Sequence, residues 1–146
     1  MYKVVIDANL WISFVIGKKL KLKILKDLSL SESISIISCP KIVEEFLNVS
    51  SREKIRKYAD EKKILDVFDL IKSHCVDNPA VDIEVPELRD PKDLYLLALA
   101  KVSNADFLLT GDKDLLILER HEQTRIISFS GFMARLEMLE NKNSHP

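Results

Sequence analysis

The chain has 146 residues, of which 47% are hydrophobic, and its 22 Lys plus Arg nearly balance its 23 Asp plus Glu. This length and composition predict one globular domain and exclude a wholly disordered chain. The net charge of −1 excludes a protein that holds nucleic acid by overall positive charge, although a local basic face stays open. We expect the domain over residues 1–140, followed by a disordered tail over residues 141–146.

The sequence shows no signal peptide and no segment that could span a membrane. Asp7 interrupts the first apolar run, and the later apolar runs are far shorter than the ~20 residues of a spanning helix. Cys39 and Cys75 are too far apart to form a metal-binding C-x-x-C pair. We therefore expect a cytoplasmic protein with reduced thiols and no membrane contact.

Short β-branched runs alternate with helical patterns along the chain. The predicted strands, in chain order, are Tyr2–Ile6, Glu32–Ser38, a weaker one near His74–Val76, Phe107–Thr110 and Arg125–Phe129. The predicted helices before residue 90 are Lys18–Leu28, Lys41–Val49, a basic helix opened by the capping box of Ser50 and Glu53, and Ile64–Ile71. Later helices are predicted from Asp90-Pro91 through the apolar segment Leu94–Val102, and after Ser130-Gly131.

This alternation predicts an α/β fold with a parallel sheet. Such sheets bind ligands at the carboxyl ends of their strands. The sequence contains neither G-x-G-x-x-G nor G-x-x-x-x-G-K-[ST], so nucleotide-binding versions of this architecture lose support.

Four acidic residues are predicted to meet at the carboxyl edge of the sheet. Asp7 directly follows the first strand, and Asp112 follows the strand Phe107–Thr110. Asp93 lies in the first turn of its helix, and Glu45 lies in the helix after the second strand. Clustered carboxylates repel one another unless some bind a proton or a cation, and oxygen-only ligands suit Mg²⁺ or Mn²⁺. A cation held there can activate water and brace a phosphodiester, so no side-chain nucleophile is required.

The same acids also have structural explanations, which the spacing leaves open. Acidic residues cap helix N-termini and favour the first helical turn, a role that fits Asp7, Asp90, Asp93 and Asp112. Glu44 and Glu45 are adjacent, and a shift of one residue turns a side chain by about 100° around the helix. Either glutamate could therefore be the one that faces the crevice.

Four segments together resemble a PIN domain. They are V-V-I-D-A-N-L-W-I-S, S-C-P-K-I-V-E-E-F-L, R-D-P-K-D-L-Y-L-L-A-L-A and A-D-F-L-L-T-G-D-K-D-L-L, and the resemblance extends from about Lys3 to Phe132. The chain most resembles the branch of VapC-related toxins of prokaryotic toxin–antitoxin systems. The resemblance implies a three-layer α/β/α sandwich around a parallel sheet of four or five strands. It also implies a ribonuclease that depends on one or two Mg²⁺ or Mn²⁺ ions.

The resemblance assigns roles to individual residues. The residues that match the metal-holding, catalytic acids of the family are Asp7, Glu45, Asp93 and Asp112. The residues that match supporting positions are Asn9 and Thr110, with Asp90 and Asp114 as additional acids of second rank. The family spacing to Phe46-Leu47 favours Glu45 over Glu44.

The leading hypothesis is an endoribonuclease toxin that hydrolyses RNA with water, leaving 5′-phosphate and 3′-hydroxyl ends. The resemblance further implies partners, since homodimers and bound antitoxins are common among VapC-type proteins. The alternative is a non-catalytic PIN-like module that binds RNA or protein, although binding does not require four converging carboxylates. A haloacid-type phosphatase is disfavoured because Asp7-Ala8-Asn9 lacks the second acid of its motif, and no receiver-type phosphorylated Asp is found.

Basic residues are concentrated in two segments of the sequence. Five lysines lie within residues 18–26, and residues 52–63 carry six basic and three acidic residues. Basic stripes beside an acidic cleft would suit an RNA backbone. For most of these lysines, a solvated helix face is the better explanation of the pattern.

Overall fold

A computed structural model describes residues 1–17, 19–74, 76–77 and 91–144, with side chains over 1–17, 23–73 and 94–138. The strands over these ranges are β1 Tyr2–Ile6, β2 Ile34–Ser38, β3 Val76–Asp77, β4 Phe107–Leu109, β5 Arg120–His121 and β6 Thr124–Ile127. The helices are α1 Ala8–Ile16, α2 Lys19–Leu30, α3 Pro40–Ser50, α4 Glu53–Arg56, α5 Glu61–His74, α6 Pro91–Ser103, α7 Lys113–Leu116 and α8 Phe129–Ser144.

The strands form one sheet in the order β3-β2-β1-β4-β6-β5. Its first five members are mutually parallel, which confirms the predicted α/β fold with a central parallel sheet. The sequence did not predict β5, which pairs antiparallel with β6 at the sheet edge. The loop between them holds only Glu122 and Gln123, and so short a connection returns the chain antiparallel.

The central strands are buried on both faces, as helix-covered parallel strands are. Every residue of β4 is buried, and so is the carboxyl half of β1. The Phe107 ring packs against Tyr2 of β1 at 5.7 Å and Phe132 of α8 at 5.2 Å between ring centroids. These contacts join the sheet to the last helix.

The order of strands reverses direction at the centre of the sheet. From β1 the chain moves outward through β2 to β3, and then returns to β4 on the other side of β1 before reaching β6. Because parallel crossovers are right-handed, α1–α5 lie on one face and α6 and α7 on the other, giving three layers. The carboxyl ends of β1 and β4 therefore flank the crevice where sheets of this kind bind ligands.

The last helix is longer than the sequence predicts. It begins at Phe129 rather than after Gly131, and it continues through Ser144. Residues 141–144 therefore belong to α8, and the domain over residues 1–140 with a tail over 141–146 stays a prediction. Buried Phe132 anchors the helix, after which each added residue extends it at little cost.

The predicted capping box at Ser50 and Glu53 is wrong. Ser50 is the last residue of α3, and its hydroxyl donates to the Leu47 carbonyl, as serines commonly do inside a helical turn. Arg52 stands at the N-cap of α4 instead.

Within the described ranges, no helix combines the length and apolar content that crossing a membrane demands.

Replacing Leu108 with Ala should destabilise the fold, since this fully buried side chain fills the centre of the sheet. We expect a loss of about 2–5 kcal/mol in the free energy of unfolding, measured by urea denaturation. Ile117→Ala removes a side chain that is 75% exposed and should change stability little. Equal losses in the two variants would contradict this assignment of the core.

Candidate active site

Asp7 lies at the carboxyl end of β1 and is only 5% exposed. It is also the N-cap of α1, because its Oδ1 accepts the backbone N–H of Asn9 at 3.2 Å. Its own N–H donates to the Leu109 carbonyl of β4 at 3.0 Å. The capping role expected on structural grounds is therefore real, and it leaves a buried carboxylate at the reversal point of the sheet.

Thr110 connects Asp7 to the segment that follows β4. Its hydroxyl donates to Asp7 Oδ2 at 2.8 Å and accepts the backbone N–H of Asp112 at 3.0 Å. Thr110 is only 1% exposed; its hydrogen bond to Asp7 is buried, and its hydrogen bond with Asp112 is partly buried. The structure thus brings together Asp7, Thr110 and Asp112, which the sequence placed at neighbouring strand ends.

Asp112 is the N-cap of α7, where its Oδ1 accepts the backbone N–H of Asp114 at 2.8 Å. Its charge is close enough to contribute to the raised pKa of Asp7. The backbone N–H of Asn9 donates to Asp7, and that of Asp114 donates to Asp112. The side chains of Asn9 and Asp114 are exposed.

Burial raises the pKa of Asp7 above its ordinary value, and the charge of Asp112 adds to this effect. Hydrogen bonds from Thr110 and from the backbone of Asn9 and Ala8 act in the opposite direction without cancelling it. The Asp7 carboxylate is therefore held at an energetic cost, which a nearby cation would relieve. All the donors are hard oxygen atoms, so this pair of acids fits Mg²⁺ or Mn²⁺.

Glu45 lies on α3 with its Oε2 accepting a hydrogen bond from the Tyr95 hydroxyl at 2.8 Å. Buried Ile42 and Phe46 fix the inner face of this helix, which leaves Glu45 partly buried and Glu44 exposed. Of the two adjacent glutamates, Glu45 is thus the one that contacts the interior.

Tyr95 is a site residue that the sequence analysis missed. It lies on α6, is 7% exposed, and joins α6 to α3 through Glu45. Burial raises its pKa, as do the hydrogen bond to Glu45 and the charges of Glu45 and Asp7, so its hydroxyl stays protonated. A signal existed in the sequence: Tyr95 is the one tyrosine in an apolar helical segment, and a buried tyrosine hydroxyl needs a partner.

The side chains of the other two predicted acids, Asp93 and Asp90, lie outside the part of the chain that the structure describes. Asp93 belongs to the first turn of α6, but its side chain lies outside the described residues, and Asp90 lies outside them altogether. Among the side chains that are described, no three Asp, Glu, His or Cys residues lie close enough to hold a metal ion together. The structure therefore shows the Asp7–Asp112 pair and the Glu45–Tyr95 pair, and the predicted four-acid cluster stays a prediction.

Replacing Thr110 with Val should destabilise the chain while preserving side-chain shape. The substitution removes the donor to Asp7 and the acceptor for the Asp112 N–H, leaving two polar groups without their partner. We expect a loss of about 1–3 kcal/mol, measured by urea denaturation in EDTA. Thr110→Ser retains the hydroxyl and should lose less, so a larger loss for serine than for valine would contradict this role.

The raised pKa of Asp7 predicts a pH dependence of stability. In the unfolded chain Asp7 loses its proton near the ordinary value of 3.8, but the folded chain keeps that proton to higher pH. The associated stability is present below the unfolded pKa and is lost as pH rises through the folded pKa. In EDTA, the unfolding free energy of the wild type should therefore decline over this interval relative to Asp7→Asn.

The exposed Glu44→Gln serves as the control for this pH titration, because it removes one acid from the surface. Its pH profile should follow that of the wild type. If Asp7→Asn and Glu44→Gln give the same profile, Asp7 does not carry the raised pKa.

Two comparisons with known proteins show the family of this chain. The family model described as "PIN domain" matches residues 3–114, a range that includes Asp7, Glu45, Tyr95 and Asp112. "Uncharacterized protein MJ1680" of Methanocaldococcus jannaschii is 36% identical over 119 residues, covering 80% of this chain and 74% of the relative. Because the family model spans well over half of the sequence, the chain belongs to the PIN domain family.

Proposed function

We propose that this chain is a metal-dependent endoribonuclease that hydrolyses RNA phosphodiester bonds. PIN domains are generally nucleases and typically use divalent metal ions. The observation that carries the proposal is the buried Asp7 carboxylate at the reversal point of the sheet, with Asp112 close by. An acid buried at an energetic cost at the edge where parallel sheets bind ligands is a candidate functional site.

The proposed metal-holding and catalytic set is Asp7, Glu45, Asp93 and Asp112, for one or two Mg²⁺ or Mn²⁺ ions. A bound divalent ion would supply charge neutralisation, activation of water and stabilisation of the charge that develops on the phosphate. Asp7 is already oriented for this task by the Thr110 hydroxyl and the Asn9 backbone, which is how supporting groups fix ligands. Asp90 and Asp114 stay in the second rank.

The substrate side of the proposal rests on Lys41. Its ammonium lies 4.8 Å from the centre of the Tyr95 ring, whose hydroxyl contacts Glu45. Lys41 is exposed and precedes Glu45 by four residues on α3, so the two side chains share one helix face. A cation at the rim of an acidic site suits an RNA phosphate, and exposed Lys23 and Lys26 of α2 add basic surface to the fold.

The biological setting that we propose is a toxin of a prokaryotic toxin–antitoxin system, acting in the cytoplasm. It rests on the resemblance to VapC-related proteins, which also motivates a cognate antitoxin and a homodimer as partners. A small open reading frame beside the gene, whose product binds this chain and suppresses its nuclease activity, would support this setting. A gene with no such neighbour favours a housekeeping nuclease.

A second candidate function is a non-catalytic module that binds RNA or protein. The finding that favours it is that, over the described side chains, no three potential ligands are grouped for a metal. The two candidates differ in one measurable property, since only the nuclease cleaves RNA in a manner that EDTA abolishes.

Replacing Glu45 with Gln should abolish most cleavage, whereas Glu44→Gln should leave it close to the wild type. The two glutamates are neighbours on α3, but Glu45 contacts the site and Glu44 is exposed. We expect Glu45→Gln to reduce the rate by about 100-fold or more, since even supporting residues of metal sites contribute 10–100-fold. The measurement is the single-turnover cleavage of labelled RNA in Mn²⁺, with Asp7→Asn and EDTA as further arms.

The ends of the products test the chemistry of the same reaction. Attack by water should leave 5′-phosphate and 3′-hydroxyl ends, which phosphatase and ligase sensitivity distinguish from 2′,3′-cyclic phosphate. Cleavage that is equal in wild type, Asp7→Asn and EDTA would overturn the proposed function. Products with cyclic phosphate ends would overturn the role of water.

A further inference from the structure

Tyr95 contacts Glu45, a proposed metal ligand, from a different helix. Its hydroxyl donates to Glu45 Oε2 at 2.8 Å, joining α6 to α3 across fifty residues of sequence. A hydrogen bond to a charged carboxylate is shorter and stronger than one between neutral groups. This contact therefore restrains the glutamate more than an ordinary surface contact would.

The contact restricts a side chain that would otherwise be mobile. A glutamate loses rotamer entropy when it is fixed in one orientation, so a cation that must first order its side chain binds more weakly. Tyr95 is 7% exposed and packed in the core, so its hydroxyl is a fixed anchor for Glu45. The charge of Asp7 also contributes to the raised pKa of Tyr95, after the effects of burial and of Glu45.

The hydrogen bond leaves one carboxylate oxygen available. Among the described residues, Oε2 of Glu45 accepts from Tyr95, and Oε1 has no hydrogen-bond partner. The ring face of Tyr95 contacts the Lys41 ammonium. One Glu45 oxygen is thus used for orientation and the other can serve a cation.

We propose that Tyr95 is a positioning residue that holds the Glu45 carboxylate in the orientation needed to bind a divalent cation with Asp7. This inference rests on the proposed metal-dependent function. Tyr95 acts through Glu45, and its phenol remains protonated and takes no part in the chemical step.

Tyr95→Phe tests this role because it removes the hydroxyl but keeps the ring that packs in the core and contacts Lys41. We expect its Mn²⁺ affinity to fall by about 10-fold or more, measured by isothermal titration calorimetry and by the EPR signal of free Mn²⁺. Tyr58→Phe makes the same change at a side chain that is 71% exposed, and its Mn²⁺ affinity should equal that of the wild type. Circular dichroism at the assay temperature verifies that each variant is folded.

A double-mutant cycle separates positioning from general destabilisation. Once Glu45→Gln has removed the charge that Tyr95 orients, adding Tyr95→Phe should weaken Mn²⁺ binding no further. Raising the Mn²⁺ concentration should restore most of the RNA cleavage of Tyr95→Phe, which a merely structural defect would not allow. Fully additive losses, or Mn²⁺ affinity unchanged in Tyr95→Phe, would overturn the inference.

The wild type distinguishes the two levels of the proposal. If it binds Mn²⁺ and cleaves RNA while Tyr95→Phe matches it in both assays, only the positioning role fails. If the wild type binds no Mn²⁺, the proposed function fails and the positioning role fails with it.

Discussion

The hydrogen bond from Thr110 to Asp7 depends on the register between β1 and β4, and the geometry of the site depends on that bond. Val4 pairs with Phe107 and Ile6 with Leu109, so the next residues of the two strands, Asp7 and Thr110, emerge side by side. A slip of one residue would turn the apolar side chains of a strand to its other face. The packing of the core therefore also positions the polar pair.

The burial of Asp7 that forms the site also disfavours the charged form of its carboxylate. Removing Asp7 from water raises its pKa, and neighbouring Asp112 adds repulsion, and three local hydrogen bonds only partly offset these two effects. The buried hydrophobic core compensates for this cost elsewhere in the molecule. A bound cation would recover part of it, so metal binding and folding stability are expected to be coupled in this chain.

Local sequence patterns predicted the fold and the neighbouring positions of Asp7 and Asp112. They did not predict features that depend on contacts between residues far apart in sequence. Asp7 directly follows one apolar strand, and Asp112 closely follows another. Their positions in the sequence were therefore enough to predict that both lie at the carboxyl edge of the sheet. Tyr95 was missed because its partner on α3 lies far away in sequence and no periodic signal links them. The β5 strand was missed because its Arg-His pair has no strand propensity and pairs only through the short turn to β6.

If the proposed nuclease function holds, the arrangement around Tyr95 would let a nearly neutral chain bind a polyanionic substrate. Among the described residues no ion pair joins Lys41 to Glu45, although the two side chains meet the same tyrosine. A direct ion pair would consume the carboxylate oxygens that a cation needs and the ammonium that a phosphate needs. By contacting Lys41 through its ring face and Glu45 through its hydroxyl, Tyr95 keeps opposite charges near each other while leaving each available. In the proposed nuclease, this local pairing of acid and base, rather than the net charge of −1, would govern the binding of RNA.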